Sequence, residues 1–192
     1  MNDKRHKEVV LFSGGVNSIC LAAKYPDAAL LYVDTGNLES PVEKLAAYDI
    51  ARMLGRSASF YVEMAPYIGK WRKQNGYTPN KNFFLVGIGS FYATIVLLGV
   101  GLENEKGNRP SIGFCESVGS AISFDSSNVF VSAKAPFIEQ SKVNIVKDYI
   151  DNGGSEEILK ASISCYNRNG RCGDCNPCFN RYVALKNNGI EP

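Results

Sequence analysis

Histidine is almost absent from this chain: one residue of 192, His6, sits in a polar N-terminal stretch. A Ser-His-Asp triad is therefore unavailable, and positioning and electrostatics must carry most of any chemistry. Charge of either sign is barely in excess. The 21 basic and 19 acidic side chains leave +2, too balanced for a surface built to bind nucleic acid. No internal repeat and no low-complexity tract interrupts the chain. Charged residues make up 21% and apolar residues 45%, which describes a globular protein rather than a disordered one. The length suits a single core of ordinary size. Met1–Glu8 is polar and reads as no signal peptide, so a cytoplasmic location is expected and disulfides are not.

What is present begins with Val9-Val10-Leu11-Phe12-Ser13-Gly14-Gly15-Val16-Asn17-Ser18. A short apolar run leads into Ser-Gly-Gly, and an apolar helical pattern follows from Ile19 to Ala23. This is the layout of a strand, a phosphate-binding loop and a helix N-terminus. Adjacent glycines open torsions closed to other residues and let a ligand come close. Helix-start N–H groups and the helix dipole favour an anion, and Ser13 and Ser18 add hydroxyl donors. The same residues also suit an ordinary strand-to-helix turn.

Four of the six cysteines, Cys165, Cys172, Cys175 and Cys178, follow the spacing C-x6-C-x2-C-x2-C. Such knuckles converge four sulfurs on one ion, and Gly170, Gly173, Asn176 and Pro177 supply turn chemistry between them. Arg168, Arg171 and Arg181 offset part of the thiolate charge. One structural zinc per chain is expected, with a disulfide cluster or an iron–sulfur site as the alternatives. Cys20 reads as a small core residue in an apolar helix. Cys115 follows a strand-like run and is ambiguous.

Phe83–Leu102 holds no charge, the length of a membrane span. Its flanks lack a basic bias, and a buried helix packed on a sheet reads the same way, so the spacing predicts such a helix and no membrane span. Elsewhere strand and helix alternate. Strands are predicted at Ala28–Val33, Ser57–Val62, Ser111–Phe114 and Asn128–Ala133. Helices are predicted at Val42–Leu54, Lys142–Tyr149 and Glu156–Lys160, and Met64–Asn82 reads as a long functional loop. This pattern implies an α/β fold, a parallel, Rossmann-like sheet covered by helices, with ligands beyond the carboxyl ends of its strands. Ser13–Ser18, Asp34–Asn37 and the segment after Phe114 are expected at that edge. The expected division is a nucleotide-binding α/β domain over 1–163 and a zinc-binding segment over 164–192 packed on the same domain.

Ser13-Gly14-Gly15-x-Asn17-Ser18 resembles the SGGxDS pyrophosphate loop of the PP-loop ATP pyrophosphatases. Three further blocks narrow the likeness to the 7-cyano-7-deazaguanine synthase (QueC) family of queuosine biosynthesis. Tyr77-Thr78-Pro79-Asn80-Lys81-Asn82 resembles its Y-x-P-x-R-N segment, which opens a long apolar helix. Ala135-Pro136 with Lys142-x-x-Ile145-Val146 resembles its A-P-x5-K-x2-I-V block. Ser164-Cys165-Tyr166-Asn167 with Cys172, Cys175, Cys178 and Arg181 resembles its zinc knuckle. The blocks run in the family's order over nearly the whole chain.

The resemblance implies a PP-loop α/β fold and an enzyme that activates the carboxylate of 7-carboxy-7-deazaguanine with ATP. Ammonia then gives the amide, and a second ATP-dependent round gives the nitrile. It implies that Ser13, Gly14, Gly15, Asn17, Ser18 and Asp34 bind ATP and Mg²⁺, that Lys81 and Lys142 act in catalysis, and that a homodimer is an option. Three departures stand out. Asn17 replaces the loop Asp, which removes an anionic oxygen suited to Mg²⁺, for which Asp34 or Glu116 would substitute. Lys81 replaces an Arg, turning a fork into a point charge. Asp34-Thr35-Gly36-Asn37 partly matches D-Y-G-Q, but Leu38 and Glu39 stand where basic residues follow. The chain is also short for the family, with Cys115–Asn128 trimmed. Two other readings remain: a catalytically weakened nucleotide-binding protein, supported by Asn17, and an adenylyl-sulfate reductase-like enzyme, disfavoured by the zinc knuckle.

Overall fold

Alternation along β1 (His6–Leu11) shows how this sequence makes layers. Successive strand residues point to opposite faces, so Val9 and Val10, both fully buried, feed two different cores. In the computed structural model, which describes residues 5–74, 77–103, 110–125, 129–165, 167 and 170–192, those cores lie on the two sides of one sheet.

The sheet has five strands in the order β3-β2-β1-β4-β5, and every pairing is parallel. The other strands are β2 (Ala29–Asp34), β3 (Phe60–Met64), β4 (Ala93–Leu97) and β5 (Ser132–Lys134). Helices α1 (Val16–Lys24), α2 (Ser40–Met53), α6 (Lys142–Asp151), α7 (Glu156–Ala161) and α8 (Asn176–Lys186) pack on one face. Ile19, Ile50, Ile145, Leu159 and Leu185 meet Val10, Leu30 and Tyr32 there. On the other face α4 (Lys81–Ser90) and α5 (Ile112–Asp125) set Val86, Cys115 and Val118 against Val9, Leu31 and Val96. A single turn, α3 (Pro66–Gly69), interrupts the loop after β3. The fold is the expected α/β sheet with helices on both sides.

Five local expectations change. Phe83–Leu102 is no continuous helix: α4 stops at Ser90 and β4 begins at Ala93. Phe91 and Tyr92 donate back to Ile88 and Gly89, closing the helix, and Thr94-Ile95-Val96 then suits a strand. Both halves are apolar, which is why periodicity alone merges them. Ser111–Phe114 is the start of α5 rather than a strand, since the Ser111 hydroxyl caps it by accepting the Phe114 N–H at 3.0 Å. The segment after Phe114 is therefore a helix over the sheet face, and Glu116 is exposed on it. Ser57–Ser59 is a 3-10 turn and the strand starts at Phe60; the predicted last strand shortens to Ser132–Lys134, and Asn128 lies outside the described residues. Asn176-Pro177, read as turn residues, open α8, where proline in the first turn needs no donor.

Among the described residues no helix is long and apolar enough to cross a membrane. Leu30, near the start of β2, is fully buried. Replacing it with alanine should lower unfolding free energy by about 2–5 kcal/mol in urea titrations, and a loss under about 1 kcal/mol would contradict this packing.

Candidate functional site

The carboxyl ends of β1, β2 and β4 open into a cavity of about 670 Å³. Strand order reverses at β1, and in doubly wound sheets ligands bind where it does.

The floor is the loop between β1 and α1. Gly14 adopts φ +72°, and a Cβ there would lie 2.9 Å from the Ala47 nitrogen of α2, so only glycine fits. Gly15 caps α1 in extended conformation and its N–H reaches Ser13 Oγ at 3.3 Å. Ser18 turns its hydroxyl back to the Gly15 carbonyl at 2.9 Å. The first-turn N–H groups of α1 lack helical partners, and Ser13, Gly15, Asn17 and Ser18 all line the cavity. Asn17 is 7% exposed, and among the described residues nothing donates to its buried Oδ1. An orphaned acceptor at a helix N-terminus fits a ligand that brings a donor or a cation.

One wall comes from the segment after β2. Thr35, Asn37, Glu39 and Glu43 face the cavity. Asp34 does not: its carboxylate accepts the Gly36 N–H at 3.0 Å and Lys44 Nζ at 3.1 Å, bracing the turn. The Gly36 N–H and the Lys44 ammonium pull its pKa below the ordinary value against the upward push of burial, the largest single effect. Glu39 is buried and ion-paired with Arg72. Glu43 accepts the Tyr32 hydroxyl at 3.2 Å. Glu116, the other carboxylate expected at this edge, is not in the wall, whose acids are Glu39, Glu43 and Glu103. Sequence reasoning missed Glu43 and Arg72; the i, i+4 spacing of Glu39 and Glu43 at the start of α2 was the available signal.

Two lysines enter from other elements. Lys81 opens α4 after Asn80, which holds a left-handed φ of 56°. Lys142 opens α6, and its backbone N–H donates to both Glu103 oxygens at 2.8 Å. Burial pushes the Lys142 ammonium below its ordinary pKa, against Glu103. Both lysines line the cavity with the β1–α1 loop. Burial pushes the thiol of Cys20, in α1, up to about 12, as suits an inert core residue.

The four knuckle sulfurs lie within 4.8 Å of one another. Tetrahedral zinc with bonds of about 2.3 Å sets sulfurs about 3.8 Å apart; those of Cys172 and Cys178 are 4.0 Å apart. The donor set fits one metal ion. Gly173, at φ +82°, turns the chain between two ligands. N–H groups of Asp174 and Cys175 lower the Cys172 thiol to about 7, while burial raises Cys178 to about 12. Cys165 also lines the cavity, as do Asn176 and Asn180 of α8, so the knuckle forms part of its wall. Arg171 donates to the Ser162 carbonyl at 3.2 Å; Arg168 and Tyr166 lie outside the described residues.

Residues 49–189 match the family model described as Queuosine biosynthesis protein QueC. The chain belongs to the QueC family. The match begins within α2 and leaves out the phosphate loop. A 7-cyano-7-deazaguanine synthase of Methanocaldococcus jannaschii is 29% identical over 127 residues, 60% of this chain and 54% of the relative. The protein of the same name from Methanosarcina mazei is 32% identical over 123 residues, 60% of this chain and 51% of the relative. The chain spans about half the length of these curated relatives.

Burial, with Glu39 beside it, raises the Glu43 pKa despite Lys81 and Tyr32. A carboxyl whose pKa is higher folded than unfolded stabilises the fold fully at acid pH and loses that contribution as pH rises through the folded value. Glu43→Gln should therefore change stability little below the ordinary carboxylate range and raise it toward neutral pH. Urea unfolding over a pH series reads this directly; a gain independent of pH would exclude it.

Proposed function

We propose that this chain is an ATP-dependent C–N ligase acting on a 7-deazaguanine carboxylic acid. The observation that carries the reading is the cavity itself: Ser13, Asn17, Ser18, Lys81 and Lys142, distant in sequence, line one space at the sheet's switch point. The names of the relatives supply the product class, a 7-cyano-7-deazaguanine, and the acid is inferred as its precursor.

In this reading a carboxylate oxygen attacks the α-phosphorus of ATP, giving an acyl-adenylate and pyrophosphate. Ammonia adds to the acyl carbon, AMP and a proton leave and the amide forms; the amide oxygen then attacks the α-phosphorus of a second ATP, releasing pyrophosphate, and departs with AMP as the nitrogen gives up its two protons to form the nitrile. The loop N–H groups and both lysines would stabilise charge on the departing pyrophosphate. The lowered pKa of Lys142 leaves it closer to a proton exchange than an exposed lysine. Mg²⁺, when bound, would neutralise phosphate charge, and Asn17 Oδ1, buried without a hydrogen-bond partner among the described residues, is an oxygen this chain would offer it. Zinc in the knuckle would be structural, since four thiolates leave no open position.

A second reading, a nucleotide-binding protein without turnover, rests on Asn17, a neutral side chain where the resembled loop carries an acid. Pyrophosphate release with ATP, ammonium and 7-carboxy-7-deazaguanine decides between them. The unaltered protein should turn over, and Asn17→Asp should tighten Mg²⁺ dependence without abolishing activity. An inert parent that still binds ATP favours the second reading.

Elemental analysis should find one zinc per chain, and Cys175→Ala should lose it and unfold the C-terminal segment at lower temperature. Iron with sulfide, or no metal, would refute the zinc assignment.

A further inference from the structure

Between α7 and the knuckle, Ser162-Ile163-Ser164-Cys165 runs as a strap beneath the phosphate loop. The Ile163 N–H donates to the Gly14 carbonyl at 3.2 Å. A Cβ on Gly15 would lie 3.3 Å from the Ile163 carbonyl oxygen and 3.4 Å from Ser164 Oγ, so strap and loop are in near contact. One end of the strap is Cys165, a member of the sulfur cluster. The other end is held by Arg181. Its Nε donates to Ser162 Oγ at 2.9 Å and its Nη2 to the Lys160 carbonyl at 2.8 Å. Ser162 is fully buried and its hydroxyl donates onward to the Leu159 carbonyl at 2.5 Å.

Arg181 is 6% exposed, yet its ion-pair partner is no carboxylate among the described residues. A buried guanidinium whose donors go to main-chain carbonyls and one serine is costly to desolvate, so its geometry is fixed by those acceptors. It stands one turn beyond Cys178 on α8, which ties the metal cluster to the strap through a single helix turn.

We propose that Arg181 is a positioning residue for the phosphate loop: acting through Ser162 and Ile163, it couples the cysteine knuckle to Gly14 and sets how firmly the loop holds a nucleotide's phosphates. The second half of that statement rests on the nucleotide-binding reading above; the mechanical coupling does not.

The test uses the full metal-loaded chain. Arg181→Gln removes the fork, and Ile163→Pro removes the N–H onto Gly14 while leaving Arg181 and the cysteines in place. Ser162, at φ −56° and ψ 142°, already has the conformation a residue before proline adopts. Hydrogen exchange over residues 11–20, metal content and calorimetric ATP affinity are measured on each. Both variants should keep one metal per chain, speed exchange in the loop and weaken ATP binding by about tenfold, the worth of about one hydrogen bond. Arg181→Lys should recover part of the loss, because an ammonium reaches one acceptor but not two. Loop exchange and ATP affinity unchanged in both variants overturn the proposal. So does a loop loosened only in an Arg181→Gln protein that has shed its metal, with Ile163→Pro behaving as the parent. If exchange reports the coupling but the unaltered protein binds no ATP, the coupling stands and the nucleotide reading falls.

Discussion

The close approach of Gly14 to α2 is the constraint on which the site depends. With φ +72° and 2.9 Å between a would-be Cβ and the Ala47 nitrogen, the backbone of the loop is pressed onto the helix and no side chain intervenes. That contact aims the N-terminus of α1 at the space above β1. It also leaves the Gly14 carbonyl free to accept the Ile163 N–H from below. The loop is thus held from two sides by main-chain atoms, which vary less in position than side chains do.

Around this loop the cavity has a polar division of labour. The β1–α1 loop offers N–H groups and hydroxyls, and other elements bring two lysines and the acids Glu39, Glu43 and Glu103. Glu39 is neutralised by Arg72, and Glu103 is occupied in capping α6 through the Lys142 N–H. Glu43 accepts the Tyr32 hydroxyl at 3.2 Å, and burial raises its pKa.

Much of this was legible in the sequence because it depends on local chemistry. Ser13-Gly14-Gly15 marked a loop that needs a left-handed torsion, and Gly14 has it. The four cysteines converge as their spacing implies, since each C-x2-C turn is closed by nearby residues. Helices α2, α6 and α7 fell close to their predicted limits, since their apolar periodicity is clear. Errors arose where apolar content hid the period. The uncharged run over 83–102 merged α4 with the neighbouring strand β4, because both are apolar in sequence. Ser111 looked like a strand start because a single N-cap serine has no apolar face to announce it.

By itself, the sequence determined the alternation of elements, the phosphate-loop candidate and the metal-binding cysteines, because glycine torsions, thiolate chemistry and periodicity act over a few residues. Only tertiary structure decided which distant groups share the cavity. Asp34 turned inward to brace Lys44 while Glu43 faced the cavity, and Glu116 was carried away on α5. Those outcomes follow from strand order and helix rotation, which put residues 40 or more positions apart side by side or separate near neighbours. The strap joining the knuckle to Gly14 belongs to the same class: its contact spans the chain from loop to C-terminus, and no local pattern encodes it.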